Sequence, residues 1–198
     1  MLALRDGGGG GDDQTVVEAS SVRVTHVCQQ EGGDACTRAC AADDGVACRV
    51  VGREAYVGSP SNDAAQHAAI EILGKACRLG DAPACSLAGT WTRRHASHGD
   101  VHYGRDAWIA LFDRGCALGD GTACALLAEH LLAETPPGKD RALELYLRGC
   151  ELGNLAGCVH AADMLEHRAQ PGDHDRATSL LGDACRRGYK RACRAPSP

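Results

Sequence analysis

The sequence predicts an all-α fold in which helix pairs stack into a solenoid, and three observations carry that prediction. The 198 residues include twelve cysteines, which form six pairs of C-x7-C spacing: Cys28 and Cys36, Cys40 and Cys48, Cys77 and Cys85, Cys116 and Cys124, Cys150 and Cys158, Cys185 and Cys193. Apolar residues precede the first cysteine of the later pairs at the i, i+3, i+4 spacing of an amphipathic helix. A glycine stands three residues after those same cysteines, where a helix would end. From Cys40 onward the first cysteines recur after 37, 39, 34 and 35 residues, within the range of helix-turn-helix repeats. A two-helix unit of this size cannot bury its apolar face alone, so neighbours must stack.

The elements follow in order. Residues 1–20, with the run Gly7 to Gly11 followed by Asp12 and Asp13, are too polar and too glycine-rich to bury a core and are read as a flexible leader. Met1 to Arg5 does not have the form of a secretory signal. Residues 21–198 then form the repeat domain, with an irregular first unit over 21–48. There Gly33 and Asp34 fall late in the loop and Cys36 lies only four residues before Cys40, so the first pair reads as a cap whose pairing stays open.

Aligning the segments before Cys77, Cys116, Cys150 and Cys185 exposes the helix. Five residues before the cysteine stand Ile72, Leu111, Leu145 and Leu180; four before, Leu73, Phe112, Tyr146 and Leu181; eight before, Ala69, Trp108, Ala142 and Ala177. Asp106, Asp140 and Asp175 stand ten residues before their cysteines, where an N-cap or first-turn acid meets the free N–H groups. Gly80, Gly119, Gly153 and Gly188 follow as helix terminators. A second helix is expected to begin after the second cysteine, with apolar pairs Val50 and Val51, Leu87 and Ala88, Leu126 and Leu127. Ala47, Ala84, Ala123 and Ala192 just before it let two helices approach closely, and a disulfide there would clamp the turn. The last pair leaves no room for a following helix, so the array is expected to stop mid-unit.

Composition excludes several classes. Aromatics make up only 4% of a chain that is 44% hydrophobic, which favours close-packed helices over an aromatic-rich sandwich. A formal charge of −5, with no basic run, provides no footprint for nucleic acid or an anionic membrane. No apolar run is long enough to span a bilayer. Twelve cysteines mean disulfides in an oxidising compartment or metal sites in a reducing one. Structural zinc sites group their ligands at C-x2-4-C spacing, and Cys36 with Cys40 alone comes near it. The spacing therefore favours disulfides and an exported, periplasmic or secreted location. The lack of a C-x2-C pair speaks against a thioredoxin-like centre.

The segments LGKACRLGDAPACSLAG, LFDRGCALGDGTACALLA and LYLRGCELGNLAGCVHAA resemble Sel1-like repeats, specifically the cysteine-rich subgroup that includes the Helicobacter cysteine-rich proteins. The resemblance covers about residues 36–193. It implies an α/α superhelix, right-handed and related to tetratricopeptide repeats, with disulfide-bridged hairpins. Some relatives are described as β-lactamases or penicillin binders, which implies a hydrolase as the alternative function. The sequence contains no S-x-x-K, S-D-N or K-T-G motif.

Three features remain as candidate sites. His95, His98 and His102 form H-x2-H-x3-H within RRHASHGDVHYG, a stretch read as the loop between helices and therefore as solvated imidazoles. No metal or cofactor is expected. Trp91 and Trp108 stand out in an aromatic-poor chain, but Trp108 falls on a repeat core position and is read as core. The third feature is a surface: positions one, five and nine after each second cysteine share a helix face and are mostly polar, namely Arg49 and Arg53; Ser86, Thr90 and Arg94; Glu129; Asp163 and His167. Stacked, they form a stripe running from basic to mostly acidic, suited to an extended peptide or a protein loop. The function expected is thus protein or peptide binding by a monomer. Thiol titration of intact protein in non-reducing buffer should find about zero free thiols and no stoichiometric zinc; reactive thiols with bound metal would overturn the disulfide reading.

Overall fold

The computed structural model describes residues 33–99, 103–133 and 138–193. Among these there are nine α-helices and no strand: α1 Gly33–Ala41, α2 Gly45–Val57, α3 Asp63–Arg78, α4 Ala82–Ser97, α5 Arg105–Ala117, α6 Gly121–Ala133, α7 Lys139–Glu151, α8 Leu155–Arg168 and α9 Asp173–Arg186. A short 3-10 turn, Lys190–Cys193, follows. Each helix packs on the next in chain order, and α3 with α5, α4 with α6 and α6 with α8 also touch, which is the nearest-neighbour stacking of a solenoid. Residues 1–20, expected to form a leader, and Cys28 lie outside the described residues.

The helix ends follow local chemistry. Gly80, Gly119, Gly153 and Gly188 adopt φ of 94°, 95°, 95° and 89°, the left-handed conformation that glycine enters without a Cβ clash. The next helix then starts earlier than the apolar pattern suggests. It begins three residues before the second cysteine, because the Asp or Asn after the left-handed residue, Asp43, Gly80 or Gly153, is the N-cap: Asp44, Asp81 and Asn154 accept from the backbone N–H of Ala47, Ala84 and Gly157 at 2.9, 2.9 and 2.7 Å. Asp120 accepts from Thr122 N–H instead, at 2.9 Å. The second cysteine therefore sits inside the first turn of its helix. Asp106 and Asp140 lie in the first turns of α5 and α7, and Asp175 in that of α9, as acids facing the helix dipole rather than as caps.

Five disulfides close the described helix pairs: Cys40–Cys48, Cys77–Cys85, Cys116–Cys124, Cys150–Cys158 and Cys185–Cys193, with Cα atoms 4.5 to 4.8 Å apart. Cys36, on α1, is buried and also disulfide-bonded. Such a set fits an oxidising, extracytoplasmic environment. No helix among the described residues is long and apolar enough to cross a membrane.

The interior is built from few large side chains and many small ones. Leu73, Phe112, Leu165 and the half-cystines Cys48, Cys77, Cys85, Cys124 and Cys158 are almost fully enclosed. Trp108, Leu145 and Tyr146 are buried beside Phe112 in the central core. Ala47, Ala84 and Ala123 are completely buried, and glycine carries the closest approach. A Cβ on Gly121 would lie 2.7 Å from the Gly149 carbonyl oxygen, so α6 and α7 meet backbone to backbone there. Two stability changes follow, both measurable by urea denaturation. Leu145→Ala should cost about 2–5 kcal/mol, a neutral result placing that face in solvent. Gly121→Ala should cost about 1–3 kcal/mol through the clash with a carbonyl that cannot rotate away.

Candidate functional site

Each disulfide lies where one helix ends and its partner begins, so the opposite edge of the solenoid carries the free ends of the pairs. The predicted stripe divides between these two regions. Arg49, one residue after its cysteine, is half-buried, and its Nε donates to both carboxylate oxygens of Asp81 at 2.8 and 3.1 Å. Asp81 caps α4, so Arg49 joins two repeats instead of facing a partner. Burial pushes the Asp81 carboxyl above its ordinary value, although Arg49 pulls the other way. Ser86, at the equivalent position, is buried and donates to the Pro83 carbonyl at 3.1 Å. Arg49 is thus spent on a pair with the next repeat and Ser86 is enclosed against its own helix, which removes both from the stripe. Arg53, Arg94, Glu129, Asp163 and His167 are exposed and Thr90 is half-buried; Glu129 pairs with Arg93 at 3.5 Å.

Arg94 and His167, both nine residues after their cysteines, each line a cleft at the free edge. The first cleft, about 510 Å³, lies between the start of α3 and the end of α4, with Asp63, Gln66, His67, Arg94 and His95 on its walls. A shallower depression of about 260 Å³ shares Pro60, Gln66 and Arg94 with it and adds Tyr56, Val57 and Trp91. Tyr56 stacks flat on Trp91 with ring centroids 3.7 Å apart, and its hydroxyl lies 3.4 Å from His95 Nε2. Burial raises the Tyr56 hydroxyl pKa, with Arg94 opposing and Asp63 reinforcing the shift. The His67 ring meets His95 and Tyr103 edge-on at 5.0 and 5.2 Å.

This placement corrects the reading of the histidines as loop residues. His95 belongs to the last turn of α4 and is half-buried; His98 is the exposed C-cap and also borders the cleft. His102 lies outside the described residues. Among the described residues no three metal-ligating side chains gather.

The second cleft, about 540 Å³, lies between the start of α7 and the end of α8. Leu132, Leu143 and Met164 make it more apolar, and Asp140, His167 and Arg168 stand at its edge. Arg168 is committed elsewhere: its Nε and Nη2 donate to Asp173 at 2.8 and 2.7 Å, and Asp173 also accepts from the Gln170 N–H at 3.0 Å. The two clefts occupy one repeat register. Counted from their cysteines, Gln66 matches Lys139, His67 matches Asp140, Trp91 matches Met164, Arg94 matches His167 and His95 matches Arg168. Sequence reasoning found the ninth position but missed Tyr56, His67 and Trp91, although extending the register to the far end of each pair would have aligned the last two.

No protein-family model matches the sequence, and no curated protein matches it significantly. Among solved structures, the chain is similar to a Sel1 repeat protein from Oxalobacter formigenes, with a TM-score of 0.70 and 20% identity, over 88% of this chain and 74% of that one. The chain has the Sel1-repeat fold. It also matches a protective antigen of uropathogenic Escherichia coli displaying an SLR fold, at 17% identity and a TM-score of 0.38, over 91% of this chain and 56% of that one.

In this Sel1-repeat solenoid the Arg168–Asp173 pair locks the α8–α9 corner beside the second cleft. The hydrogen bond from Arg168, opposed by burial and helped by Gln170 N–H, holds the Asp173 carboxyl below the ordinary carboxylate range. A depressed carboxyl stabilises the fold above its unfolded pKa, and that contribution is lost as pH falls through the folded value. Asp173→Asn should therefore lower Tm at neutral pH, with the gap to wild type closing below about pH 4. A gap independent of pH would show that the charge contributes nothing.

Proposed function

We propose that this solenoid is a binding module of an exported or periplasmic space, acting as a monomer and engaging a peptide or a protein loop along α2, α4, α6 and α8. What supports the proposal is that Arg53, Arg94, Glu129, Asp163 and His167 are exposed and Thr90 half-buried on successive second helices, once Arg49, paired with the next repeat, and the buried Ser86 are set aside. A row with one or two polar positions per repeat suits a partner that itself extends along the stack, and a basic-to-acidic gradient gives that partner a direction.

The alternative, β-lactam binding or hydrolysis, rests on resemblance alone. Nitrocefin separates the two: purified protein is expected to give no turnover above buffer, and turnover that survives purification would replace the binding reading.

The binding test uses a random-peptide phage library selected on the full chain. Changing Arg53, Arg94, Glu129 and Asp163 together to Ala should leave Tm nearly unchanged, as exposed substitutions usually do. Affinity for selected peptides should fall, by about 2–5 kcal/mol where a charge pair is desolvated and by little at the rim. Unchanged affinity at low salt would put the site elsewhere.

A further inference from the structure

The two clefts differ in chemistry while sharing one repeat register. In the first, Arg94 is exposed, its guanidinium has no ion pair or hydrogen bond among the described residues, and it borders both the polar cavity, whose wall also carries Asp63, and the shelf formed by Val57 and Trp91. Its guanidinium is available for bidentate recognition of a carboxylate. In the second, the guanidinium of Arg168 is already held by Asp173, Lys139 and Asp140 bring opposite charges to the walls, and the cavity presents Leu143 and Met164 beside Leu132, which is 41% exposed. That surface suits an aliphatic side chain. Cavities of this size lie in the range that holds small ligands or single side chains.

Equivalent register puts both openings on the same edge, separated by two repeat steps. Touching helices lie about 8–10 Å apart, so the openings are roughly 16–20 Å apart. An extended peptide advances about 3.3 Å per residue and covers that distance in about five or six residues.

We infer that the α3–α4 and α7–α8 clefts are two subsites for one extended peptide, the first taking an acidic side chain or terminal carboxylate and the second an aliphatic side chain about five or six residues away. This rests on the peptide-binding reading and specifies its ligand. Each anchor raises the effective concentration of the other at its cleft, so selectivity lies in the spacing as well as in the two residue types.

The test repeats the phage selection on wild type, Arg94→Ala and Leu132→Glu, with thermal melts confirming that each variant folds. Both substitutions are at exposed positions outside the core. Wild type should enrich peptides with an acid and an aliphatic residue at the stated spacing. Arg94→Ala should lose the acid preference and keep the aliphatic one, and Leu132→Glu should do the reverse. Synthetic copies of the wild-type peptides should bind each variant about tenfold more weakly by fluorescence anisotropy. Enriched peptides that bind both variants as tightly as wild type, or that show no paired pattern, would overturn the two-subsite inference and leave peptide binding standing. Enrichment no better than on an unrelated helical bundle would overturn the inference together with peptide binding.

Discussion

At four closed ends a cystine joins the last turn of one helix to the first turn of the next, at the fifth it joins the last helix to the closing 3-10 turn, and most of the half-cystines lie in the interior. A cross-link over so short a loop contributes about 2–3 kcal/mol in the chain-entropy model. Its geometric effect matters more to the rest of the molecule. Cα atoms held within 4.8 Å across the turn leave no room for bulky neighbours, so alanine or glycine flanks the cysteines and the helices meet through backbone. A core with so few aromatic residues is the direct result.

Close approach at the closed edge brings a second set of bonds within reach. Lys75 Nζ lies 2.7 Å from the Cys40 carbonyl, and Arg114 donates to the carbonyls of Cys77 and Arg78 at 3.1 and 3.0 Å. These basic residues, two positions before their own cysteines, supply the orphan carbonyls at the C-terminus of the preceding unit's helix. Arg49 with Asp81, and Asn154 with Thr122 at 3.3 Å, act in the same layer. Consecutive repeats are thus joined by polar contacts between residues in fixed register with the cysteines.

This explains which parts of the molecule were legible in the sequence. Leu145, Phe112 and Ala142 repeat at helical spacing because burial of one face is a local, periodic demand, and Gly80 or Gly153 marks a backbone state that few residues can adopt. The start of the second helix was misplaced because apolar periodicity reports the buried stretch, whereas the boundary is set by Asp81 or Asn154 in its capping role. Arg49 looked like surface because its helix phase is polar, yet its partner lies 32 residues away in the next repeat. The first cleft was hidden for a related reason. Tyr56 comes from α2, His67 from α3 and Trp91 with His95 from α4, so no single window of sequence contains it.

The free edge differs from the closed edge in what constrains it. Near the cystines, position −1 must be small and the Asp or Asn must cap, so side chains there cannot vary without cost to folding. At the far ends the same register holds Arg94 in one unit and His167 in another, or Trp91 in one and Met164 in another, with no common bond to preserve. Arg168 is the instructive exception: it is tied to Asp173, and the cleft it adjoins, lined by Leu132, Leu143 and Met164, is the more apolar of the two. A repeat array needs a uniform surface to stack and a non-uniform one to discriminate among partners. Covalent closure at one end supplies the first, and release from that closure at the other permits the second.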